Sequence, residues 1–414
     1  MSERALLVGV DLGRKNDWPM DQILAELREL VIACQGNPLD SIICRVARPT
    51  PNFLIGSGKV QEIINFCQGQ DVDTVIFSHD LKGSQQRNLE ESIQRKTVDR
   101  TQLILDIFSR RAKSQEGKMQ VELAQLQYLL PRLVGKGMEL SRPGGGIGTL
   151  GPGETKLETD RRKISARITK LKQDLKALSA ERQLKRKKRK GLKLPSISLV
   201  GYTNAGKSTL LNRLTRSSEP VHDGLFTTLD SVSRGFFLPN HQKVVLSDTV
   251  GFMHQLPHHL IEAFQATLEE VQEADLLLHV LDVSHPNFRS LQEAVKDVLK
   301  ELGALDKPRI TVLNKMDRLS DKALVHEFEN FDEPVAISAL TGENVLRLLE
   351  KISELLMGGL VKLELSIPLQ RMDLMNLIHR EGQVHSLKYS SRTVRVRATL
   401  PPRIAGQVGE YIIS

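Results

Sequence analysis

The sequence predicts a multidomain α/β protein: a mainly parallel sheet flanked by helices, preceded by a small α/β domain and an antiparallel helical hairpin, and followed by a small α+β domain. Three observations predict it. Strand-like apolar runs alternate with helix-period segments over the first hundred or so residues and again from Leu194 to about Gly359. Between these stretches, two stripes of apolar residues at steps of three and four flank a segment rich in glycine and proline. Beyond Leu360, short runs such as VKLELSIP and TVRVRATL enclose one helical stretch. The resulting division is 1–112, 113–190, 194–359 and 360–414.

In the first segment, ALLVGVDL, DSIICRVAR and DTVIFS read as strands, and PMDQILAELRELVIAC and KVQEIINFCQ as helices. IGSGK at Ile55 to Lys59 is too short for a phosphate loop and reads as a turn entering a helix. In the second segment, Met119, Leu123, Leu126, Leu130 and Leu133 form one helical stripe, and Leu157, Ile164, Ile168, Leu171, Leu175 and Leu178 form another. RPGGGIGTLGPGET between them excludes regular structure and lets the chain turn back. Its Gly146-x-Gly148-x-x-Gly151 pattern imitates a dinucleotide fingerprint, but it follows a helix and no strand leads into it.

At 414 residues and 40% hydrophobic composition, the chain can fill several cores. It contains no apolar run of about 18 residues and does not open on a secretory signal, so the expectation is a cytoplasmic protein with no membrane span. Cys34, Cys44 and Cys67 make neither a CxxC pair nor an even framework and read as reduced packing thiols. His258 and His259 lack further ligands at metal-binding spacing and read as surface residues. A net charge of +8 and a pI near 9.3 suit a polyanionic partner, either nucleic acid or the surface of an anionic membrane bound peripherally. The charge concentrates in RQLKRKKRKGLK, Arg182 to Lys193, where RNA contact and a solvated linker are equally open readings. Arg142, Lys156, Arg161 and Arg162 flank the glycine-rich segment, which reads as a loop able to press against RNA or as a plain solvated tip.

Chemistry is legible between Leu194 and Gly359. ISLV runs directly into GYTNAGKSTLLNRL, a Gly-x4-Gly-Lys-Ser pattern between a strand and a helix. Gly201 to Gly206, through Tyr202, Thr203, Asn204 and Ala205, would turn amides toward phosphate oxygens, and the helix opening at Lys207, Ser208 and Thr209 adds its positive end. Lys207 would bridge the β- and γ-phosphates, and Ser208 would ligate magnesium. Phe226, Thr227 and Thr228 lie in FTTLD, where Thr228, with Thr227 in reserve, would complete the metal shell only when a γ-phosphate is present. Asp248 ends an apolar strand and would hold magnesium through water, while Thr249, Val250 and Gly251 follow, Gly251 donating its amide to the γ-phosphate. ITVLNKMD supplies Asn314, Lys315 and Asp317, whose carboxylate can accept the guanine N1–H and 2-amino group. AISAL supplies Ser338, Ala339 and Leu340, with a backbone amide for guanine O6.

Five such elements in order point to magnesium-dependent binding and hydrolysis of GTP, with Lys207, Thr228 and Gly251 catalytic and Ser208, Thr228 and Asp248 at the metal. The position after Gly251, where Ras-type GTPases carry a glutamine, is Phe252, so intrinsic hydrolysis should be slow and need an activator. Asn204 reads either as a ligand for potassium or as a brace of the loop.

RPTPNFLIGSGKVQEI, DRTQLILDIFSRRAKSQEGKMQVELAQLQYLLPRL, GGGIGTLGPGETKLETDRR and the GTPase motifs together resemble the HflX family of ribosome-associated GTPases over nearly the whole chain. The resemblance implies a protein that binds GTP and GDP, binds the large (50S) ribosomal subunit and its rRNA, is stimulated by ribosomes, and acts in splitting or rescue of stalled ribosomes under stress; a monomer is expected. It also makes residues 142–162 the rRNA-reaching element. ATP hydrolysis in the N-terminal region, reported for some members, has no phosphate loop to support it here. Thr227 departs from the alanine usual in the family. Two alternatives stand beside this reading: a GTP-controlled RNA-binding or assembly module, and a potassium-activated GTPase in RNA modification.

Overall fold

The computed structural model describes residues 2–13, 18–133, 152–191, 194–217, 225–226, 232–254, 257, 260, 265–319, 331–356, 361–400 and 402–413. The chain falls into two compact units, one of residues 1–188, 220–231 and 249–269, the other of residues 189–219, 232–248 and 270–414.

The first unit is built on a four-stranded parallel sheet in the order β2-β1-β3-β4, from β1 (Arg4–Asp11), β2 (Asn37–Arg45), β3 (Thr74–Phe77) and β4 (Lys96–Asp99). The continuous apolar run of β1 is buried from Ala5 to Val10, as a parallel strand covered on both faces requires. The connecting helices are α1 (Met20–Ala33), α2 (Ser57–Gly69) and α3 (Gly83–Ile93). Leu6, Val8, Ile42, Ile63, Phe77 and Leu89 lie in the core, with Cys44 and Cys67 packed among them as free thiols. IGSGK does lead into a helix, with Gly56 preceding α2.

Asp99 ends β4 and caps α4 (Arg100–Arg111), accepting the Gln102 amide at 2.9 Å. It is fully buried and also accepts from the Leu81 amide at 3.0 Å, the Tyr128 hydroxyl at 2.9 Å and the Arg132 guanidinium at 3.0 Å. Burial pushes its carboxyl above the usual range, opposed by the amides of Gln102 and Leu81. Tyr128 and Arg132 belong to α5 (Gln115–Leu129) and the turn after it, and the guanidinium lies 3.4 Å from the Tyr128 ring centroid. The helical stripe expected on α5 is therefore only one of its buried sides. Leu123 is buried and Met119, Leu126 and Leu130 are half-buried, while Gln120, Val121, Ala124 and Tyr128 bury a second side.

α6 (Pro152–Gly191) runs antiparallel to α5: Arg167 pairs with Glu122 at 2.6 Å, and Arg182 pairs with Glu116. Its inward stripe is the expected one, with Leu171 fully buried and Ile164, Ile168, Leu175 and Leu178 half-buried. Residues 134–151, with Arg142 and Gly146, Gly148 and Gly151, lie outside the described residues, as do the side chains of Lys156 and Leu157.

The second unit contains a six-stranded sheet in the order β10-β9-β8-β5-β7-β6. β5 (Ser196–Gly201), β7 (Lys243–Asp248), β8 (Leu276–Asp282), β9 (Arg309–Asn314) and β10 (Val335–Ala336) are parallel, and β6 (Val232–Phe237) is antiparallel to β7. α7 (Lys207–Thr215), α8 (Gln265–Glu273), α9 (Phe288–Glu301) and α10 (Val345–Leu356) complete the alternation. The C-terminal part is a three-stranded antiparallel sheet, β11 (Val361–Pro368), β13 (Thr393–Leu400) and β12 (Gln383–Tyr389) in that order, with α11 (Met372–Glu381) and α12 (Pro402–Gln407). Among the described residues, no helix is long and apolar enough to cross a membrane.

Removing a buried acceptor that satisfies four donors leaves Arg132 without its counter-charge. Asp99→Ala is expected to cost the first unit about 3–5 kcal/mol, read as lost amide-exchange protection across α4 and the end of α5; unchanged protection would refute this role.

Candidate GTP-binding site

The loop after β5 is shaped by two approaches that only glycine permits. A Cβ on Gly201 would stand 2.3 Å from the Val280 carbonyl oxygen, and one on Gly206 would stand 2.2 Å from the Asn314 side-chain nitrogen. Gly206 has φ +94° and immediately precedes α7; Asn204, exposed, adopts the left-handed φ of 59° that asparagine tolerates better than most residues. Tyr202, Thr203 and Ala205 are buried, and Ser208 and Thr209 sit half-buried in the first turn of α7.

Lys207 folds back into this loop. Its ammonium donates to the carbonyls of Gly201 at 3.0 Å and Tyr202 at 2.8 Å, and it is 6% exposed. Burial pulls its pKa down to about 8, against the attraction of Asp248, which raises it. The Ser208 hydroxyl donates to the buried Asp248 carboxylate at 2.8 Å. Two hard oxygen donors thus meet at the opening of a helix, an arrangement able to hold magnesium.

Asn314 joins two loops. Its side-chain nitrogen donates to the Ala205 carbonyl at 2.8 Å, and its oxygen accepts the Ala339 amide at 2.9 Å. The Ala339 amide, expected to meet guanine, is engaged by Asn314 here. Lys315, at a left-handed φ of 67°, pairs with Asp282 at 2.6 Å. The fully buried Ser338 donates to Asp317 at 2.6 Å and accepts the Thr341 amide at 3.1 Å, so it orients a carboxylate that is itself exposed. Leu340 is 65% exposed, and its carbonyl accepts from Arg213. Sequence reasoning missed Asp282 and Arg213. Asp282 had a signal, since it ends the apolar strand LLLHVLD in register with Asn314.

The remaining expected residues have their contacts in the first unit. Phe226 is buried against Phe108 of α4, edge to face with centroids 4.6 Å apart. Thr249, Val250, Gly251 and Phe252 are buried. Further along, His254 stacks on Trp18 at 4.3 Å, and its carbonyl accepts from Arg100, which also pairs with Glu26, both at 2.5 Å. Thr227, Thr228, His258 and His259 lie outside the described residues.

Four family models together match most of the chain, between residues 21 and 403. Those described as GTP-binding GTPase N-terminal and GTP-binding GTPase Middle Region match residues 21–109 and 111–189. One described as 50S ribosome-binding GTPase matches 196–315, and one described as HflX C-terminal domain matches 323–403. The GTPase HflX of Caldanaerobacter subterraneus subsp. tengcongensis is 43% identical over 412 residues, 100% of this chain and 94% of that protein. The chain belongs to the HflX family of GTPases. The GTPase HflX of Escherichia coli K12 is 41% identical over 95% of this chain and 89% of its own length. The crystal structure of a GTP-binding protein from Sulfolobus solfataricus in complex with GDP aligns at 26% identity with a TM-score of 0.44, covering 86% of this chain and 99% of that one. As an HflX-family protein the chain is a GTP hydrolase.

Two predictions come from this geometry. Asn314→Ala removes both hydrogen bonds that couple the loops, about 2–3 kcal/mol in all, so GDP affinity should fall about 30- to 150-fold; titration calorimetry giving an unchanged Kd would refute it. Lys207 titrates near 8 in the folded chain but near 10.4 when unfolded. Between those values the unfolded chain holds more protons, so stability of the nucleotide-free protein should rise with pH across that window. Thermal melts at about pH 7.5 and 9.5 check it, and a slope no larger than that of Lys207→Met would contradict it.

Proposed function

We propose that this chain is a ribosome-dependent GTPase whose GTP-bound state engages the large ribosomal subunit and whose hydrolysis releases it, in splitting or rescue of stalled ribosomes. The observation that carries this reading is Phe252. It follows Gly251, is 2% exposed, and has no polar group with which to orient an attacking water. A site so built needs its activator from outside, and the family model over residues 196–315 is described as a 50S ribosome-binding GTPase.

In this reading the Lys207 ammonium exchanges two backbone carbonyls for β- and γ-phosphate oxygens, and Asp317, oriented by Ser338, selects guanine. Ser208 and Asp248 would hold magnesium, which would supply positive charge to offset the negative charge of the bound nucleotide. Thr228 and Gly251 are the residues assigned to sense the γ-phosphate. Asn204 keeps both of its roles, potassium ligand or brace.

The test is steady-state GTP hydrolysis by the purified protein, alone and with 50S subunits, 30S subunits or 70S ribosomes. A rise of about tenfold or more with 50S or 70S, absent with 30S and absent for Lys207→Ala, is the expected result. No rise with any particle, or a rise with 30S alone, would overturn the proposal.

A further inference from the structure

The C-terminal sheet has one face packed and one face bare. On its central strand β13, Val394, Val396, Ala398 and Leu400 are buried in a core with Leu374, Met375 and Ile378 of α11 and Ile404 of α12. The alternate residues Arg395 and Arg397 are exposed. Register extends that face sideways. Arg395 lies between Ser366 of β11 and Lys388 of β12, Arg397 between Glu364 and Ser386, and Thr399 between Lys362 and Gln383. Lys362, Gln383, Ser386 and Lys388 are exposed too.

The charge on this face is one-sided. Glu364 pairs with Arg397 at 3.1 Å, and the face has no other acid. Lys362, Lys388 and Arg395 have no carboxylate partner among the described residues. Lys388 and Arg395 stand directly opposite each other, a like-charge pair that costs the sheet stability and that an anion would relieve. Cationic positions recur about 6.8 Å apart along a strand and about 4.8 Å across strands, giving a flat grid rather than a pocket.

Its composition selects the partner. An interface for another protein needs an apolar centre, and a membrane surface needs apolar or aromatic anchors. This face has neither: the exposed Val361 and Tyr389 share the strand phase of the buried residues and so belong to the other side. What it offers instead is cations interleaved with the half-buried Ser366 hydroxyl, the exposed Ser386 hydroxyl and the exposed imidazole of His385, which lies 2.6 Å from the buried Thr399 hydroxyl; such groups bond phosphate and sugar oxygens. We propose that the helix-free face of the C-terminal sheet binds structured RNA through its phosphodiester backbone and 2′-hydroxyls. This surface is separate from the nucleotide site and does not depend on the functional reading above.

The test is fluorescence anisotropy of the full-length protein with GDP and a labelled RNA hairpin of about 16 base pairs, at several salt concentrations. Lys388→Gln/Arg395→Gln is expected to weaken binding about tenfold and to reduce the salt slope by about 1.5 to 2, with basal GTP hydrolysis unchanged as the check on folding. Arg395→Lys should retain most of the affinity. Arg28→Gln/Lys300→Gln, which removes the same charge elsewhere, should change neither affinity nor slope. The proposal is overturned by an unchanged affinity in the first variant or by an equal loss in the charge-matched control. An equal loss on a DNA duplex of matching sequence, or a loss confined to phosphatidylserine vesicles, would overturn the assignment to RNA.

Discussion

The approach of the loop after β5 to the strand ends beside it is the constraint on which the candidate nucleotide site depends. Gly201 lies under the Val280 carbonyl and Gly206 under the Asn314 side chain, each at a distance that excludes a Cβ. Because the loop comes that close, one asparagine can hold the Ala205 carbonyl with its nitrogen and the Ala339 amide with its oxygen. The Gly201 to Gly206 loop and the loop at Ala339, far apart in sequence, are thereby fixed to each other by a side chain that is 2% exposed. The same closeness buries Lys207, whose charge is satisfied by two carbonyls and the field of Asp248 rather than by solvent. A buried ammonium held by neutral dipoles is poorly compensated, and phosphate oxygens are the stronger partner.

Much of this was legible because it is local. Gly206, Lys207 and Ser208 must be contiguous for a loop to feed a helix, and Asn314 and Asp317 must follow a strand end, so spacing alone reveals them. Asp282, Arg213 and Phe108 act across long sequence separations, and no window of sequence contains both partners. The same distinction holds for the fold. The five elements expected in the first hundred residues are present, but α3, β4 and α4 were not read. β4 is only four residues long, and the buried, polar Asp99 that ends it looks in sequence like a turn residue. The stripe on α6 was read correctly because that helix buries one side, whereas α5 buries two and its periodicity is blurred. Residues 134–151, which hold most of the glycine-rich segment, lie outside the described residues.

The segments bearing Phe226 and Gly251 carry the motifs of nucleotide-responsive elements, yet their packing belongs to the N-terminal unit. Phe226 rests on Phe108, and His254 is held at two points: its ring by Trp18 and its carbonyl by Arg100, which is itself paired with Glu26. Glu26 and Arg100 are each about a tenth exposed, so this ion pair is not a screened surface contact. Displacing either segment from its place exposes an aromatic ring or separates a desolvated pair. The position that carries a polar glutamine in Ras-type GTPases is here a buried phenyl group, which adds hydrophobic resistance to the same displacement.

The net charge of +8 is concentrated rather than spread evenly over the surface. On α6, Arg161, Arg162, Lys163, Lys170, Lys172 and Lys176 are exposed on a helix whose inward stripe is aliphatic. On the C-terminal sheet, Lys362, Lys388 and Arg395 share a face with one acid. Carboxylates stand beside part of the first set, as in the Arg162–Glu158 and Lys163–Asp160 pairs, and exposed pairs of this kind contribute little to stability. Their effect is to lower the local field. Among the described residues Lys388 and Arg395 have no such neighbour, and they oppose each other across a strand pair, so the sheet bears their repulsion whenever no polyanion is bound. A fold does not gain stability from that juxtaposition; only an anionic partner turns it into a favourable term.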